Sequence, residues 1–368
     1  MKMNEDVINN IKNDKNYHII KFLSLICLLV ISLLSAYAAV PTVNTSRIFS
    51  STNTSNASML GFCNASDTDG GVVSYYFEWY KNGTWNRSGH LTNPVTVQKS
   101  SISNSSGVAD GGLNSGVFSF VSGNYAYAVN DKNDSLTIIN VSDPTNPKQL
   151  SSISNVSMNE AFWVFVQGDY AYVTAYTADS LTIINVSDVT NPRQVSSFSN
   201  SSSLDQARGI FVSGSYAYVP SDILGSLTII NVSDVTNPTQ VGFVNGLGAA
   251  FMIYLSRNYA FLSTTTSNSL VIVNVSDVRN PALVSSYVNA TFLANSQGLS
   301  VSGDYAYVTS VTNAYLTIIN ISNVSNPTRI SSFLNTTALA GARGLFVSGD
   351  YAYVGASTND SLTIINVS

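Results

Sequence analysis

The residue types that carry most enzyme chemistry are scarce in this chain. His18 lies in the N-terminal stretch, so His90 is the one histidine left for a Ser-His-Asp site. Glu78 and Glu160 are the only glutamates beyond that stretch, and most aspartates fall in repeated turns. Paired carboxylates for glycoside chemistry are therefore not indicated. We predict that the protein is not an enzyme.

Metal and cofactor sites have equally little support. Asp67 and Asp69, in the segment DTDG, lack the further ligands of a calcium loop. Cys27 lies in the N-terminal apolar run, and Cys63 is then alone, which excludes an internal disulfide or a thiolate metal site. We predict no metal and no cofactor.

Six internal repeats dominate the rest of the chain. A motif of the type SGDYAYV begins at positions 122, 167, 213, 256, 302 and 348, and one of the type LTIINVSD at 136, 181, 227, 270, 316 and 362. Both recur every 43 to 46 residues, and Asn-Pro follows the second motif in the first five repeats. Four short strands at this period are typical of propeller blades.

The strands of one repeat can be located in residues 207–246. They are ARGIFVSG, SYAYVP, SLTIINVS and TQVGFVN, and we expect the Asn-Pro step to end the third strand. Glycine supplies the positive φ of the first hairpin; in the fourth repeat Arg257 replaces it, and we expect Asn258 to take the left-handed conformation. Leu181 and Ile183 on one face, with Ile184 on the other, indicate a sheet packed on both sides.

These patterns predict an all-β fold: a six-bladed β-propeller of four-stranded antiparallel blades over residues 92–368. The chain stops after the third strand of the sixth repeat, whereas TNPVTVQKSSIS (92–103) resembles TNPKQLSSIS (145–154). We expect this N-terminal segment to supply the missing outer strand and remove the open edge. A truncated reading frame is the alternative.

The N-terminus predicts export. Residues 1–38 combine a basic start, an apolar run over 22–34 and a small-residue A-x-A site, as in a secretory signal peptide. A retained membrane anchor over 19–40 is the alternative, and it would be the chain's only link to a membrane. Either segment places the remainder outside the cell or on its surface.

Composition agrees with an extracellular coat. Only 10% of residues are charged, against about 25% in ordinary soluble proteins, and Ser, Thr and Asn supply the polarity. The net charge of −5 argues against a nucleic-acid partner, which needs a basic surface.

The motifs LTIINVSDPTNP (136–147) and VSGDYAYV (301–308) resemble the LVIVD repeat family of archaeal and bacterial surface proteins. The resemblance implies a propeller and an extracytoplasmic location, but no defined reaction. The family's Asp in "IVD" is Asn in all six repeats of this chain. Residues 41–91 separately resemble part of an Ig-like module, through LGFCNASDTDG (60–70) and SYYFEWYKNG (74–83).

The first strand of each blade should line the central channel. Six residues before each hairpin position stand Val117, Phe162, Arg208, Phe251, Gln297 and Arg343. Arg208 and Arg343 belong to opposite blades, and beside Phe162 and Trp163 they could hold a carboxylate or a sugar. The candidate ligand residues are Arg208, Arg343, Gln297, Phe162 and Trp163. Alternatively, the arginines cap carbonyl groups between blades.

Asn-x-Ser/Thr sequons supply the candidate glycosylation sites. Three lie in a Ser/Thr-rich stretch (Asn44, Asn53 and Asn56), and five are repeat positions (Asn140, Asn185, Asn231, Asn274 and Asn320). Alternatively, these asparagines only cap strand ends.

Three functions remain open. The first is a non-enzymatic surface propeller for adhesion or recognition, with a cell-surface protein or polysaccharide as partner. The second is a structural coat component, which a channel mouth plugged by Val and Phe would favour. The third is a polysaccharide-active enzyme, which two close, buried aspartates at the mouth would support.

Overall fold

The computed structural model describes residues 42–50, 59–66, 74–81, 84–92, 116–358 and 361–368, with side-chain burial from residue 118 onward. The chain divides into two units, residues 1–99 and residues 100–368.

The first unit contains two antiparallel hairpins. Their strands are β1 (Thr42–Ser50) paired with β2 (Met59–Ser66), and β3 (Ser74–Lys81) paired with β4 (Thr84–Thr92). Cys63 lies on β2 and Trp79 on β3. The described strands of this unit thus form two separate two-stranded sheets.

The second unit consists of six consecutive antiparallel sheets, which we call blades 1 to 6. Blade 1 has β5 (Gly116–Ser122), β6 (Tyr125–Asn130), β7 (Ser135–Asn140) and β8 (Lys148–Ser154); blade 2 has β9 (Ala161–Gln167), β10 (Tyr170–Ala175), β11 (Ser180–Asn185) and β12 (Arg193–Ser199); blade 3 has β13 (Phe211–Ser213), β14 (Tyr216–Ser221), β15 (Ser226–Asn231) and β16 (Thr239–Val244). Blade 4 has β17 (Ala250–Ser256), β18 (Tyr259–Thr264), β19 (Ser269–Asn274) and β20 (Ala282–Val288); blade 5 has β21 (Ser296–Ser302), β22 (Tyr305–Ser310), β23 (Tyr315–Asn320) and β24 (Thr328–Leu334); blade 6 has β25 (Ala342–Ser348), β26 (Tyr351–Ala356) and β27 (Ser361–Asn366). A short 3₁₀ turn (Val156–Met158) precedes blade 2.

Within each blade the strands pair in chain order, so every blade is an up-and-down meander. The first strand of each blade also contacts the first strand of the next, from β5 through to β25. The first strands are therefore the inner ones. This confirms the predicted six-bladed β-propeller.

The core lies between consecutive blades and not within a single sheet. Leu181 and Ile183 of blade 2 pack with Val212 and Val219 of blade 3, whereas Ile184 faces blade 1. Equivalent clusters join each following pair up to blades 5 and 6. The two apolar strand faces that the sequence predicts are thus each buried against a neighbour.

Hydrogen bonds add a second link between neighbouring blades. A serine hydroxyl on the fourth strand donates to a backbone carbonyl in the loop before the next blade's fourth strand, at 2.6 Å in each case. The pairs are Ser151 with Val189, Ser196 with Val235, and Ser285 with Val324.

Two turn predictions are wrong in detail. Arg257 itself adopts the left-handed conformation, with φ +56°, as the equivalent glycines do. Its neighbour Asn258 does not replace the glycine, because the turn geometry fixes which position needs positive φ. The third strands end earlier than expected, at the Asn of each Asn-x-Ser, and the proline directly precedes the fourth strand, as Pro192 precedes β12.

The first strand of blade 3 is shorter than the sequence predicts. We expected residues 207–214, but β13 covers only Phe211–Ser213. Pro220 on β14 has no N–H to donate to the facing backbone. Gly209 N–H instead donates to Phe251 O of blade 4 at 3.0 Å, and a Cβ on Gly209 would lie 2.9 Å from that oxygen.

Two N-terminal predictions fall outside the described residues. One is the signal peptide or anchor over 1–38, and the other is most of the closing strand over 92–103. In the part of the chain that is described, no helix is long and apolar enough to cross a membrane.

Candidate functional site

The best-defined polar site lies at the end of blade 3 where its first strand begins and its second ends. Arg208 lies three residues before β13, and Asp222 directly follows β14, so the pairing of these strands brings both side chains to the same end. Arg208 donates from Nε and Nη2 to Asp222 Oδ2, at 3.1 and 2.8 Å. The two side chains are 19% and 15% exposed.

Three aromatic rings surround the Arg208 guanidinium. Its Cζ lies 4.1 Å from the ring centre of Tyr176, 4.6 Å from that of Phe162 and 5.2 Å from that of Phe251. Tyr176 and Phe162 come from blade 2 and Phe251 from blade 4. Cation–π contacts in such a partly desolvated setting contribute about 1–2 kcal/mol each. The arginine is thus held in place by blades 2, 3 and 4 together.

Asp222 is held through both its carboxylate and its backbone. Oδ2 takes both Arg208 bonds, and Oδ1 accepts a long bond of 3.4 Å from Thr265 Oγ1 of blade 4. The Asp222 backbone N–H donates to Gln206 O at 3.2 Å. Oδ1 has two lone pairs and accepts only the long Thr265 bond among the described contacts, so it can still accept a hydrogen bond from a ligand hydroxyl.

An open cleft of about 570 Å³ borders this carboxylate, between blades 3 and 4. Its polar lining comes from Tyr176, Gln206, Asp222, Thr265 and Thr266, and Ile223 stands 61% exposed beside them. The cleft therefore offers hydrogen-bonding groups, one aromatic ring and one exposed aliphatic side chain.

The inner positions of blades 1, 2 and 4 are packed with aromatic rings. Ring centres of Phe118 and Phe162 lie 5.2 Å apart, and those of Phe162 and Phe251 lie 5.6 Å apart. Trp163 stacks on Phe118 at 3.7 Å. Phe162 and Phe251 thus fill two of the six positions predicted to line the channel, and the Arg208 guanidinium contacts both rings.

The other predicted ligand residues lie in different surroundings. Arg343 is exposed and donates from Nε to Ser357 Oγ at 3.2 Å, within its own blade. Gln297 is 6% exposed; its Nε2 donates to Asn295 Oδ1 at 3.2 Å, and its Oε1 has no partner. Of the five candidates, the described contacts unite Arg208 with Phe162, and Trp163 is joined to them through Phe118. Neither arginine caps a carbonyl between blades in these contacts.

Sequence reasoning missed Tyr176, Asp222 and Thr265. All three occupy one repeat position, the residue directly after the second strand, which the other blades fill with Asp131, Val311 and Ser357. A signal was present, because this position lies opposite the start of the first strand and carries five different residue types in the six repeats. Reading the registers of the first two strands together would have located it.

The repeat asparagines lie at the opposite end of the blades, where the third strands end. In each, Oδ1 accepts from the backbone N–H of the Ser two residues later, at 2.8–2.9 Å; the bonded asparagines include Asn140, Asn185, Asn231, Asn274 and Asn320. The strand-end turn thus uses the amide oxygen of each side chain. Asn44 lies on β1, and Asn53 and Asn56 fall outside the described residues.

A second turn follows directly, centred on aspartate. Asp143 Oδ1 accepts from the Thr145 hydroxyl at 2.6 Å and its backbone N–H at 2.9 Å, and Asp188 and Asp234 repeat this arrangement. Hydrogen bonds from the Thr hydroxyls, followed by backbone N–H bonds, lower the pKa of these three carboxyls.

The architecture defines a β-propeller whose blades are single sequence repeats. The chain belongs to the LVIVD repeat family, whose model matches residues 120–155, 160–200, 206–246, 247–289, 294–335 and 341–368. Each matched segment corresponds to one blade. Among the curated proteins, none matches this sequence.

Solved structures share the fold at low sequence identity. A proposed 6-phosphogluconolactonase from Bacteroides uniformis has a TM-score of 0.59 at 14% identity, covering 66% of this chain and 78% of its own. A protein of unknown function from Desulfotomaculum acetoxidans has a TM-score of 0.58 at 16% identity, covering 69% and 83%. The periplasmic gluconolactonase PpgL of Pseudomonas aeruginosa has a TM-score of 0.57 at 14% identity, covering 66% and 78%. At these identities the likeness is one of fold alone.

Proposed function

We propose that this chain is a non-enzymatic recognition protein of the cell exterior that binds a neutral sugar in the cleft between blades 3 and 4. The single observation that carries the proposal is the Asp222 carboxylate, oriented by Arg208 and bordering an open polar cleft. A pre-oriented acceptor binds hydroxyl groups without ordering a mobile side chain first.

The charge of the site supports a neutral ligand. Arg208 already forms an ion pair with Asp222, and its guanidinium is covered by aromatic rings. A ligand carboxylate would have to compete with Asp222 for those N–H groups. A sugar hydroxyl can instead donate to Asp222 Oδ1 and leave the pair intact.

The remaining lining suits a polyhydroxyl ligand. Gln206 and Thr266 offer amide and hydroxyl groups along the cleft, and the Tyr176 ring supplies an apolar surface for the C–H face of a sugar. The exposed Ile223 at the rim adds a small apolar contact.

Binding rather than catalysis is supported by how Asp222 is held. It is tied to a cation, and in the part of the chain whose burial is described no Asp or Glu is buried. The lactonase neighbours make one direct check worthwhile, because they share the fold. Hydrolysis of gluconolactone by the full chain, abolished in Asp222→Asn, would overturn the non-enzymatic proposal.

Oligosaccharide arrays test the binding proposal. We expect the full chain to bind neutral oligosaccharides in preference to uronic-acid ones, and Asp222→Asn to lose this binding at least tenfold, as loss of a charged hydrogen bond predicts. Arg343→Ala is the control, since Arg343 occupies in blade 6 the repeat position that Arg208 occupies in blade 3 and lies outside the cleft. Equal binding of all three proteins would contradict the proposal.

A structural coat is the second candidate, and a specific observation favours it. Phe162 and Phe251 pack on each other at two positions predicted to line the channel, which a channel-mouth binding site would need open. Self-assembly of the purified chain into sheets, with no saturable sugar binding, would support the coat instead.

Export and glycosylation complete the proposal. The apolar run over 22–34 and the low charge support a surface location, and the repeat sequons cluster at the end of the blades opposite the cleft. Glycans at Asn140, Asn185, Asn231, Asn274 and Asn320 would cover that end and leave the cleft accessible. Mass spectrometry of tryptic peptides from the native source tests each position.

A further inference from the structure

A second set of sequons lies at the end of the blades that carries the cleft. The fourth strand of each of blades 1 to 5 is followed directly by an asparagine: Asn155, Asn200, Asn245, Asn289 and Asn335. All but Asn245 begin an Asn-x-Ser/Thr sequon, and we call these four the loop sequons. The backbone N–H of each of the four donates to the turn between the second and third strands of its own blade, at 3.0–3.3 Å. In blade 3 the same turn borders the cleft, so the loop sequons lie at the cleft end.

The asparagine side chain of each loop sequon caps its loop through the amide oxygen. Oδ1 accepts from the backbone N–H two residues later, at 3.0–3.1 Å in all four loops. Among the described contacts, the amide nitrogen Nδ2 of Asn155, Asn289 and Asn335 makes no hydrogen bond. Asn200 differs, because its Nδ2 donates to Gln240 Oε1 at 3.3 Å. A sugar bonded to Nδ2 would therefore leave the cap intact in the other three loops.

The hydroxyl groups of two loop sequons have no part in holding the loop. In the third-strand sequon of blade 1, by contrast, Ser142 Oγ donates to Asn140 Oδ1 at 2.7 Å and so helps to build the turn. In the part of the chain that the structure describes, the hydroxyls of Thr291 and Thr337 make no hydrogen bond, and both threonines are exposed. The turn therefore does not explain a threonine at either position, whereas an Asn-x-Thr glycosylation signal does.

We propose that Asn155, Asn289 and Asn335 are N-glycosylated, with a lipid-linked sugar diphosphate as the donor. Nδ2 attacks C1 of the sugar, and the C1–O bond to the diphosphate breaks, so that its electron pair leaves with the diphosphate. Nδ2 loses one proton to the solvent, and Oδ1 stays free to cap the loop. These sites are distinct from the third-strand sequons at the opposite end of the blades. The proposal rests on export of the chain and not on the sugar site.

The loop sequons are placed unevenly around two clefts at this end of the blades. A second open cleft, of about 550 Å³, lies between blades 5 and 6, and it is lined by Thr291 and Thr336 of two loop sequons. The cleft between blades 3 and 4 is lined by Gly248 of the one loop without a sequon, and none of its described lining residues belongs to a sequon. Glycans at Asn289 and Asn335 would thus cover the second cleft and leave the proposed sugar site open.

Mass spectrometry of chymotryptic glycopeptides from the full chain, purified from its native source, tests the three sites. We expect a sugar on the peptides that contain Asn155, Asn289 and Asn335. Thr337→Ala, expressed in the same source, should remove the sugar from Asn335 and leave it on the other two. Thr336→Ala is the matched control, because it changes the neighbouring exposed threonine and keeps the Asn-x-Thr signal.

Circular dichroism melting checks that both variants fold. Unmodified asparagine at all three sites would overturn the proposal, and so would a sugar that stays on Asn335 in Thr337→Ala or is lost in Thr336→Ala. Sugar found only on the third-strand sequons would overturn it while leaving glycosylation of the opposite end intact. Parent chain and Thr337→Ala should bind neutral oligosaccharides equally. If neither binds them, the sugar site fails and the glycosylation result stands by itself.

Discussion

Blades 3 and 6 begin from the same repeat and differ in almost every contact of their shared arginine. In blade 3, Arg208 is paired with Asp222 and covered by rings from blades 2 and 4. In blade 6, Arg343 is exposed and reaches only Ser357, which occupies the position of Asp222. A repeat thus fixes where a side chain stands, whereas the neighbouring blades decide what it can do.

The apolar faces of the two blades differ in the same way. Leu227 of blade 3 is fully buried against blade 4, and Leu362 of blade 6 is 62% exposed. Strands of identical sequence, SLTIIN, therefore make very different contributions to stability. The stabilisation comes from burial of the leucine side chain, and the neighbouring blade provides that burial.

The largest effect should come from that leucine pair. Leu227→Ala should lower the free energy of unfolding by about 2–5 kcal/mol, because it leaves a cavity between blades 3 and 4. Leu362→Ala should lower it by less than about 0.5 kcal/mol, as at an ordinary surface site. Urea unfolding measures both, and equal losses would contradict the described burial.

The arginine pair should give the next effect. Arg208→Ala should cost about 2–4 kcal/mol, because it removes the cation–π contacts and leaves Asp222 without its partner in a partly buried site. Arg343→Ala should stay within about 0.5 kcal/mol of the parent chain. Thermal unfolding at matched pH compares them. Equal losses of unfolding free energy in the two variants would contradict the described difference between the blades.

Introducing a carboxylate in blade 6, at the position equivalent to Asp222, tests the comparison further. Ser357→Asp gives Arg343 the partner that Arg208 has, but without enclosing rings the new pair stays solvated. We expect a gain of about 0.2–1 kcal/mol, reduced by high salt. A double-mutant cycle with Arg343→Ala isolates the pair, and a gain as large as the loss in Arg208→Ala would show that the aromatic rings add nothing.

The smallest effect concerns acid stability. The pKa of Asp143, Asp188 and Asp234 is lowered by their threonine partners, so the folded state binds these protons less tightly than the unfolded chain. The ionised carboxylates stabilise the folded state fully above the pKa that Asp has in the unfolded chain, about 3.9. This stabilisation is lost as the pH falls through their lower pKa values in the folded state. Thr236→Val should reduce the stability lost on acidification.

Acid unfolding curves for Thr236→Val and the parent chain check this prediction. Ser325→Ala is the control, because its turn is built on Asn323, which does not titrate. A pH dependence unchanged in Thr236→Val, or altered equally in the control, would contradict the role of the threonine.

The blades and their apolar faces could be predicted from the sequence because the repeats state them six times. The alternation of Leu181, Ile183 and Ile184 is enough to predict two buried faces. The short β13 escaped prediction because it depends on Pro220 meeting Gly209 across the hairpin, which requires the register. The arginine Arg208 was identified, but its role was not.

That role depends on residues outside the repeat consensus. Asp222 stands fourteen positions from Arg208, and Tyr176 and Phe251 belong to other blades. Their convergence follows from strand pairing and blade order, which fix distances that spacing in the sequence does not. Likewise, the exposure of Phe346 depends on what lies beside blade 6, and the sequence of its own strand does not indicate it.

The most direct test of the cleft is to map a bound neutral oligosaccharide, chosen from the array, by hydrogen–deuterium exchange of the full chain. We predict slowed exchange in residues 206–209, 222–225 and 265–266, and no change around Arg343. Loss of this protection in Asp222→Asn, with the fold retained, would tie it to the carboxylate. Protection elsewhere, or none at saturating sugar, would contradict the account.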